Sequence, residues 1–169
     1  MFERMITRII RAIRLDWTVF AEIARDRGAM TEAAIIVALV TFLSALGSGL
    51  AARSIGTFFL TWLAGILVGW IGWAAITYLV GTLLFKGETD IAEMMRVLGY
   101  ATAPSLLGVL QIIPCMGWLF PLLGWILTLI AGVLAVREAM DSETGTAIIT
   151  VVISWLIIIA VQAVFWFVL

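Results

Sequence analysis

Histidine is absent from this 169-residue chain, cysteine occurs once and proline three times. Without imidazole and with a single thiol, zinc and iron–sulfur centres and the usual haem sites have no ligand set. Ser–His and Cys–His nucleophile pairs cannot form for the same reason. No phosphate-cradling or dinucleotide-type glycine pattern occurs either. The lone Cys115 has no partner for an internal disulfide. No cofactor, no metal and no nucleic-acid partner is expected. Charge is scarce as well: Asp, Glu, Lys and Arg make up 12% of the residues, against about 25% in soluble domains. With 64% of the residues hydrophobic, the solvent this chain is built for is lipid.

Long uncharged runs supply the architecture. A helix needs about 20 apolar residues to cross about 30 Å of hydrocarbon. Five runs come near that length: Ala33 to Ala52, Phe58 to Phe85, Val97 to Ile113, Trp118 to Val136 and Thr146 to Leu169. A membrane strand needs only about 10 residues with alternating polarity, and these runs are continuous. The expected fold is all-α: a polytopic integral membrane protein with five transmembrane helices (33–169) behind a basic N-terminal segment (1–32). Pro104 lies inside the shortest run, where its missing N–H and its ring predict a bend around Tyr100.

Orientation follows from the cations. Arg4, Arg8, Arg11, Arg14, Arg25 and Arg27 precede the first run, Lys86 and Arg96 flank the second connection, and Arg137 follows the fourth run. Only Arg53 falls on the other side. The positive-inside rule then places the N-terminus in the cytoplasm of a cell with this protein in its inner membrane, and five crossings place Leu169 at the opposite face. No acid or base is expected within the hydrocarbon depth, so proton or sodium coupling is not expected.

In the first 20 residues Phe2, Ile6, Ile9, Ile13, Trp17 and Phe20 share one arc of a helical wheel, and Arg4, Arg8, Arg11 and Arg14 cluster opposite. This pattern predicts an amphipathic helix at the membrane interface, with Arg4, Arg8, Arg11, Arg14 and Trp17 as its contacts to anionic lipid on the cytoplasmic face. The competing reading is a helix that packs on the bundle and only fixes topology. Asp16 and the mixed-charge run Glu22 to Arg27 predict a break and a second short helix.

Between spans, close backbone approach is what adds packing energy, because lipid already satisfies Leu and Ile. Gly65 and Gly69 form a GxxxG pair with Gly72 close by; Gly99 and Ala103, and then Gly117, Gly124 and Gly132, offer further small faces. Gly65, Gly69, Gly72, Gly99 and Gly124 are therefore the expected packing positions. Most span hydroxyls are expected to bond to the carbonyl one turn earlier. Gln111 and Gln162 need real partners in lipid.

The stretch Arg96-Val97-Leu98-Gly99-Tyr100-Ala101-Thr102-Ala103-Pro104, then Gly117 and Trp118, then Val136 to Ala139 and Thr144 to Ile148, resembles the bacterial branch of the Yip-type family. That family comprises the five-span, Ypt/Rab-interacting membrane proteins, and the likeness covers roughly Asp16 to Leu169, with Gly99, Tyr100 and Pro104 as its most specific positions. Eukaryotic members are associated with vesicle traffic and small GTPases. The long cytoplasmic domain and the acidic Tyr-Gly-Pro stretch of those members have no counterpart here, so GTPase binding is not carried over.

Together these readings predict a non-enzymatic membrane organiser or adaptor whose partners are membrane lipids. Two alternatives stand beside it. One is an accessory subunit of another membrane protein or complex. The other is an uncoupled transporter or lipid scramblase, with a polar path along Tyr78, Tyr100, Thr102, Ser105 and Gln111.

Overall fold

The structure, a computed structural model, describes residues 2–112 and 119–168, and every regular element among them is helical. Cys115, Gly117, Trp118 and the turn at 114–117 lie outside the described residues, as do the side chains of Gln111, Gln162 and Trp166. Two short helices, α1 (Phe2–Ile13) and α2 (Trp17–Arg25), lead into α3 (Ala29–Ala52). One long helix follows, made of α4 (Ile55–Ala64), a π-helical stretch (Gly65–Gly72) and α5 (Trp73–Phe85). Then come α6 (Ile91–Ala101), a 3-10 segment (Ala103–Ile112), α7 (Leu119–Ala139) and α8 (Thr144–Val168).

Four helices are long and apolar enough to cross a membrane: Ala29–Leu50, Ile55–Phe85, Leu119–Ala139 and Thr144–Val161. The run expected as a third span, Val97 to Ile113, is not among them. It is divided between the end of α6 and the 3-10 segment. Proline explains the division: Pro104 has no N–H to offer the carbonyl of Tyr100, four residues back. The ladder tightens instead, with the Thr102 N–H on the Gly99 carbonyl at 3.3 Å and the Ser105 N–H on the Thr102 carbonyl at 3.0 Å. A second correction concerns charge. The first apolar stretch begins at Ala29 rather than Ala33 and takes in Glu32.

Local chemistry sets the other boundaries. Asp16, Ser54 and Asp90 cap α2, α4 and α6 by accepting from the N–H groups of Thr18, Thr57 and Glu93. Arg53 and Lys86 end the first two long helices in the left-handed conformation, at φ 49° and 54°.

Packing changes along the second long helix. In α4 no residue is buried, whereas Trp73, Ala74, Thr77, Val80 and Gly81 of α5 are. The π-helical stretch between them turns Trp70 inward, where its indole donates to the Met95 carbonyl at 3.0 Å. Trp62 makes the same kind of bond to the Ala38 carbonyl at 3.1 Å. Indole N–H groups buried among apolar side chains need such acceptors. At the charged end, Val19, Phe20 and Ile23 of α2 are fully buried and join Met94, Val97, Leu98 and Tyr100 of α6 in one core. Helix α2 is thus part of the bundle, with Trp17, Glu22 and Arg25 its exposed residues.

The glycines divide into two groups. A Cβ at Gly65 would stand 2.8 Å from Thr41, one at Gly99 2.7 Å from the Ala33 Cβ, and one at Gly124 3.0 Å from the Pro104 carbonyl oxygen. These three sit in tight seams. Gly69 has nothing within 4 Å, and Gly72 meets only the Leu67 carbonyl of its own helix at an ordinary 3.5 Å. Of the expected pair, only Gly65 is in close contact with α3: Gly69 lines a cleft beside it, across from Val37, Val40, Thr41 and Ser44 of α3, without touching them, and Gly72 meets no neighbouring helix. The small face expected at Gly132 meets Trp73, and seams the spacing did not nominate occur at Gly49 against Phe58 and at Gly81 and Gly87 against Met140.

Candidate functional site

Residues four apart share a helix face, and on α1 that places Arg4 beside Arg8. In the structure this face turns toward the protein. Glu32, in the first turn of α3 and only 1% exposed, receives three donors. Arg4 donates from Nη2 to Oε1 at 3.0 Å, Arg8 from Nη1 to Oε2 at 3.1 Å, and the Tyr100 hydroxyl donates to Oε2. Arg8 also reaches Asp26 through Nη2 at 2.9 Å and is itself 8% exposed. Five side chains from α1, the α2–α3 connection, α3 and α6 form one network.

A buried carboxylate is retained only where its charge is compensated and its lone pairs are used. Two guanidinium groups and a phenol achieve this for Glu32. The stripe Met5, Arg8 and Ala12 is buried with them, while Phe2 (67% exposed), Ile6 (52%) and Ile10 (45%) point away. Arg4 and Arg8, expected as contacts to anionic lipid, are engaged by carboxylates of the protein itself, Arg8 buried and Arg4 with its side chain about half exposed. In a less polar setting than water such an ion pair is stronger.

Arg11 is used differently. It donates to Asp16 at 2.7 Å, to both oxygens of Glu22 at 2.9 and 3.0 Å, and to the Thr18 hydroxyl at 2.7 Å, pinning the α1–α2 turn. Arg14 is exposed and makes no ion pair with the described residues. Trp17, half exposed, lies under the Arg137 guanidinium, 5.4 Å from its ring centroid, which ties α2 to the end of α7.

Arg96 was a candidate only as a topology signal, and the structure gives it a second task. Buried on α6, it donates from Nη2 to the Ala24 carbonyl at 2.6 Å. That carbonyl is among the last of α2, which have no partner within their own helix, and a cation there also complements the helix dipole. Glu32 carries no motif of its own, since in the sequence it is one of several carboxylates next to a span. The available signal was its position one turn inside an apolar run, where ionisable residues need partners.

Hydroxyls along the supposed polar path are spent locally. Thr102 donates to the Gly99 carbonyl at 2.7 Å and Ser105 to the Thr102 carbonyl at 2.6 Å, while Tyr100 is held by Glu32. No group of three or more metal-ligating side chains occurs among the described residues.

Two carboxylates outside the spans, Asp26 and Asp16, are shifted in the same direction. The Arg8 guanidinium holds Asp26 below the usual carboxylate range, and the Thr18 hydroxyl and then Arg11 do the same for Asp16. A folded-state value below the unfolded one means that these contacts stabilise the fold above about pH 3.9, the ordinary Asp value. Their contribution is lost as pH falls through the lower folded values. Amide hydrogen exchange of residues 2–25 in detergent should therefore stay slow from neutral pH to about pH 4 and accelerate below it. Acceleration already near pH 6 would contradict this origin.

A bundle of long apolar helices whose charged end is closed by two short helices and an arginine–carboxylate network defines an all-helical integral membrane protein. The chain belongs to the Yip1 domain family, whose model matches residues 18–165. Glu32, Arg96 and Tyr100 lie within the matched stretch, whereas α1, with Arg4 and Arg8, precedes it. No curated protein and no solved structure matches the chain.

Proposed function

We propose that this Yip1-family protein is a non-enzymatic membrane organiser that crosses the inner membrane five times and holds α1 as an interfacial helix in the cytoplasmic leaflet. The observation that carries this reading is the direction of α1. Its arginines are drawn onto Glu32 and Asp26, and its edge of Phe2, Ile6 and Ile10 is left outward beside the exposed Trp17. Such an edge enters the boundary between headgroups and acyl chains by about 5–10 Å. Arg14, Arg25 and Arg27, all exposed, are the cations left for anionic lipid.

The third crossing in this reading is the broken one. Residues 97–112 reach about 27 Å, because a 3-10 turn rises about 2.0 Å per residue against 1.5 Å in an α-helix. That length approaches the roughly 30 Å of the hydrocarbon layer, and the 3-10 segment packs along α7 through Gly124. With α6 and this segment as one crossing, the chain alternates direction five times and its termini lie on opposite faces.

Spin labels test the placement of α1. In protein carrying Cys115→Ser and a nitroxide at position 6 or 10, in anionic vesicles, collisions with oxygen should exceed collisions with a water-soluble nickel chelate. The reverse order would remove α1 from the membrane and with it this reading.

A further inference from the structure

Between α3, the 3-10 segment and α7 lies a cleft of about 380 Å³. We propose that it binds one acyl chain of a membrane phospholipid as a defined site. Its walls are Val40 and Leu43 of α3, Leu106 and Val109 of the 3-10 segment, and Pro121 and Trp125 of α7. The volume falls within the range of small-molecule pockets, about 300–1,000 Å³.

The cleft has an identifiable cause. Gly124 lets α7 come up against the Pro104 carbonyl and the Ser105 Cα, at 3.0 and 3.3 Å from where a Cβ would stand. The 3-10 segment is thereby drawn toward α7 and stands off from α3. Gly47 and Gly108 complete the lining, and a Cβ on either would meet nothing within 4 Å. Neither has a positive φ, so their missing side chains are not required by the backbone. They leave open space.

Water alone does not fill that space: a buried water needs about 2–4 polar partners, and the lining offers three hydroxyls, Ser44, Ser105 and Thr128, among otherwise apolar side chains and glycines. Leaving the space empty forfeits dispersion contacts along its walls. The neighbouring outward residues, Leu39, Phe42 and Leu46 on α3 and Leu122, Leu123 and Ile126 on α7, are exposed and apolar. In a bilayer such a surface is bathed by acyl chains, so a hydrocarbon tail is the species at hand with the right chemistry. The Thr128 hydroxyl, buried without a partner, adds one polar point on the wall.

The test uses the full chain in phospholipid vesicles containing a lipid with a diazirine near the end of one acyl chain. After irradiation, peptides carrying Leu106–Val109 and Trp125 should be labelled, and excess unlabelled phospholipid should saturate out that labelling. Gly47→Leu and Gly108→Leu fill the cleft from opposite walls, and each should abolish labelling of those peptides. Labelling at the outward residues Leu60, Leu83 and Leu156 should persist in both variants, and unchanged thermal unfolding in detergent shows that the bundle is intact. Uniform labelling of all lipid-exposed peptides, insensitive to both substitutions, would mean annular lipid only and would overturn the site. If one variant fails to fold, the other reads the same outcome. Failure of the α1 placement described above leaves this result unaffected, because no residue of α1 lines the cleft.

Discussion

Replacing Glu32 with Ala is expected to lower the stability of the protein in detergent by about 3 kcal/mol and to free α1. The magnitude follows from what is left behind. Arg8 is buried and retains only Asp26, Arg4 keeps a 3.8 Å approach to Asp26, and the Tyr100 hydroxyl loses its acceptor. Breaking one side of a buried ion pair costs more than the pair itself contributes, since the remaining charge stays desolvated. Glu32→Gln should cost less, because its amide oxygen still accepts from Tyr100 or one guanidinium. Exchange of the α1 amides should speed up in Glu32→Ala while the amides of α7 and α8 stay protected. A double-mutant cycle with Arg8→Ala separates the pairwise part from the rest. Additive effects of the two substitutions would show that Glu32 and Arg8 are not coupled and that α1 is held by its other contacts.

Gly99→Val is the second large effect. The new Cβ would lie 2.7 Å from the Ala33 Cβ and 3.4 Å from the Ala33 Cα, with the Trp70 indole nitrogen 3.2 Å away. None of these is the far end of a flexible side chain, so α3 and α6 must separate. Overpacking of this kind costs about 1–3 kcal/mol. The displacement also carries Tyr100 away from Glu32, since the two seams adjoin. Gly69→Ala is the matched comparison: nothing lies within 4 Å of its Cβ, and losing a glycine from a helix is worth about 0.5–1 kcal/mol in favour of Ala. Thermal unfolding of the two variants should therefore shift in opposite directions. Equal losses would mean that the GxxxG pair, and not the Gly99 seam, organises the bundle.

The polar network also bears on the proposed contact of α1 with lipid. An arginine face aimed at phosphate would make membrane contact sensitive to salt, because exposed charges are screened over about 8–10 Å. Arg4 and Arg8 are instead neutralised from within, and the outward edge is apolar. The attachment of α1 then depends on the integrity of Glu32 more than on ionic strength, and acid, which removes Asp26 and Asp16 from their ion pairs, is the condition that loosens it.

Much of this protein was fixed by composition and pattern. Uncharged runs of membrane length determine helices, because lipid offers no partner for an open backbone. The absence of histidine and the single cysteine remove most metal and nucleophile chemistry. Pro104 marked the interruption of the third run through its missing N–H, and Asp16 marked the start of α2 through its cap. The residues around Gly99, Tyr100 and Pro104 pointed to the family whose model matches the chain. Tertiary structure alone decided the rest. A helical wheel separates the arginine face of α1 from its apolar edge but does not say which turns inward. That choice depends on a carboxylate 24 to 28 residues away being buried within reach. A glycine spacing likewise does not say which member meets a neighbour: Gly65 lies against Thr41 of α3 whereas Gly69 faces the same helix across a cleft, because the separation of two helices changes along their length while the sequence interval does not.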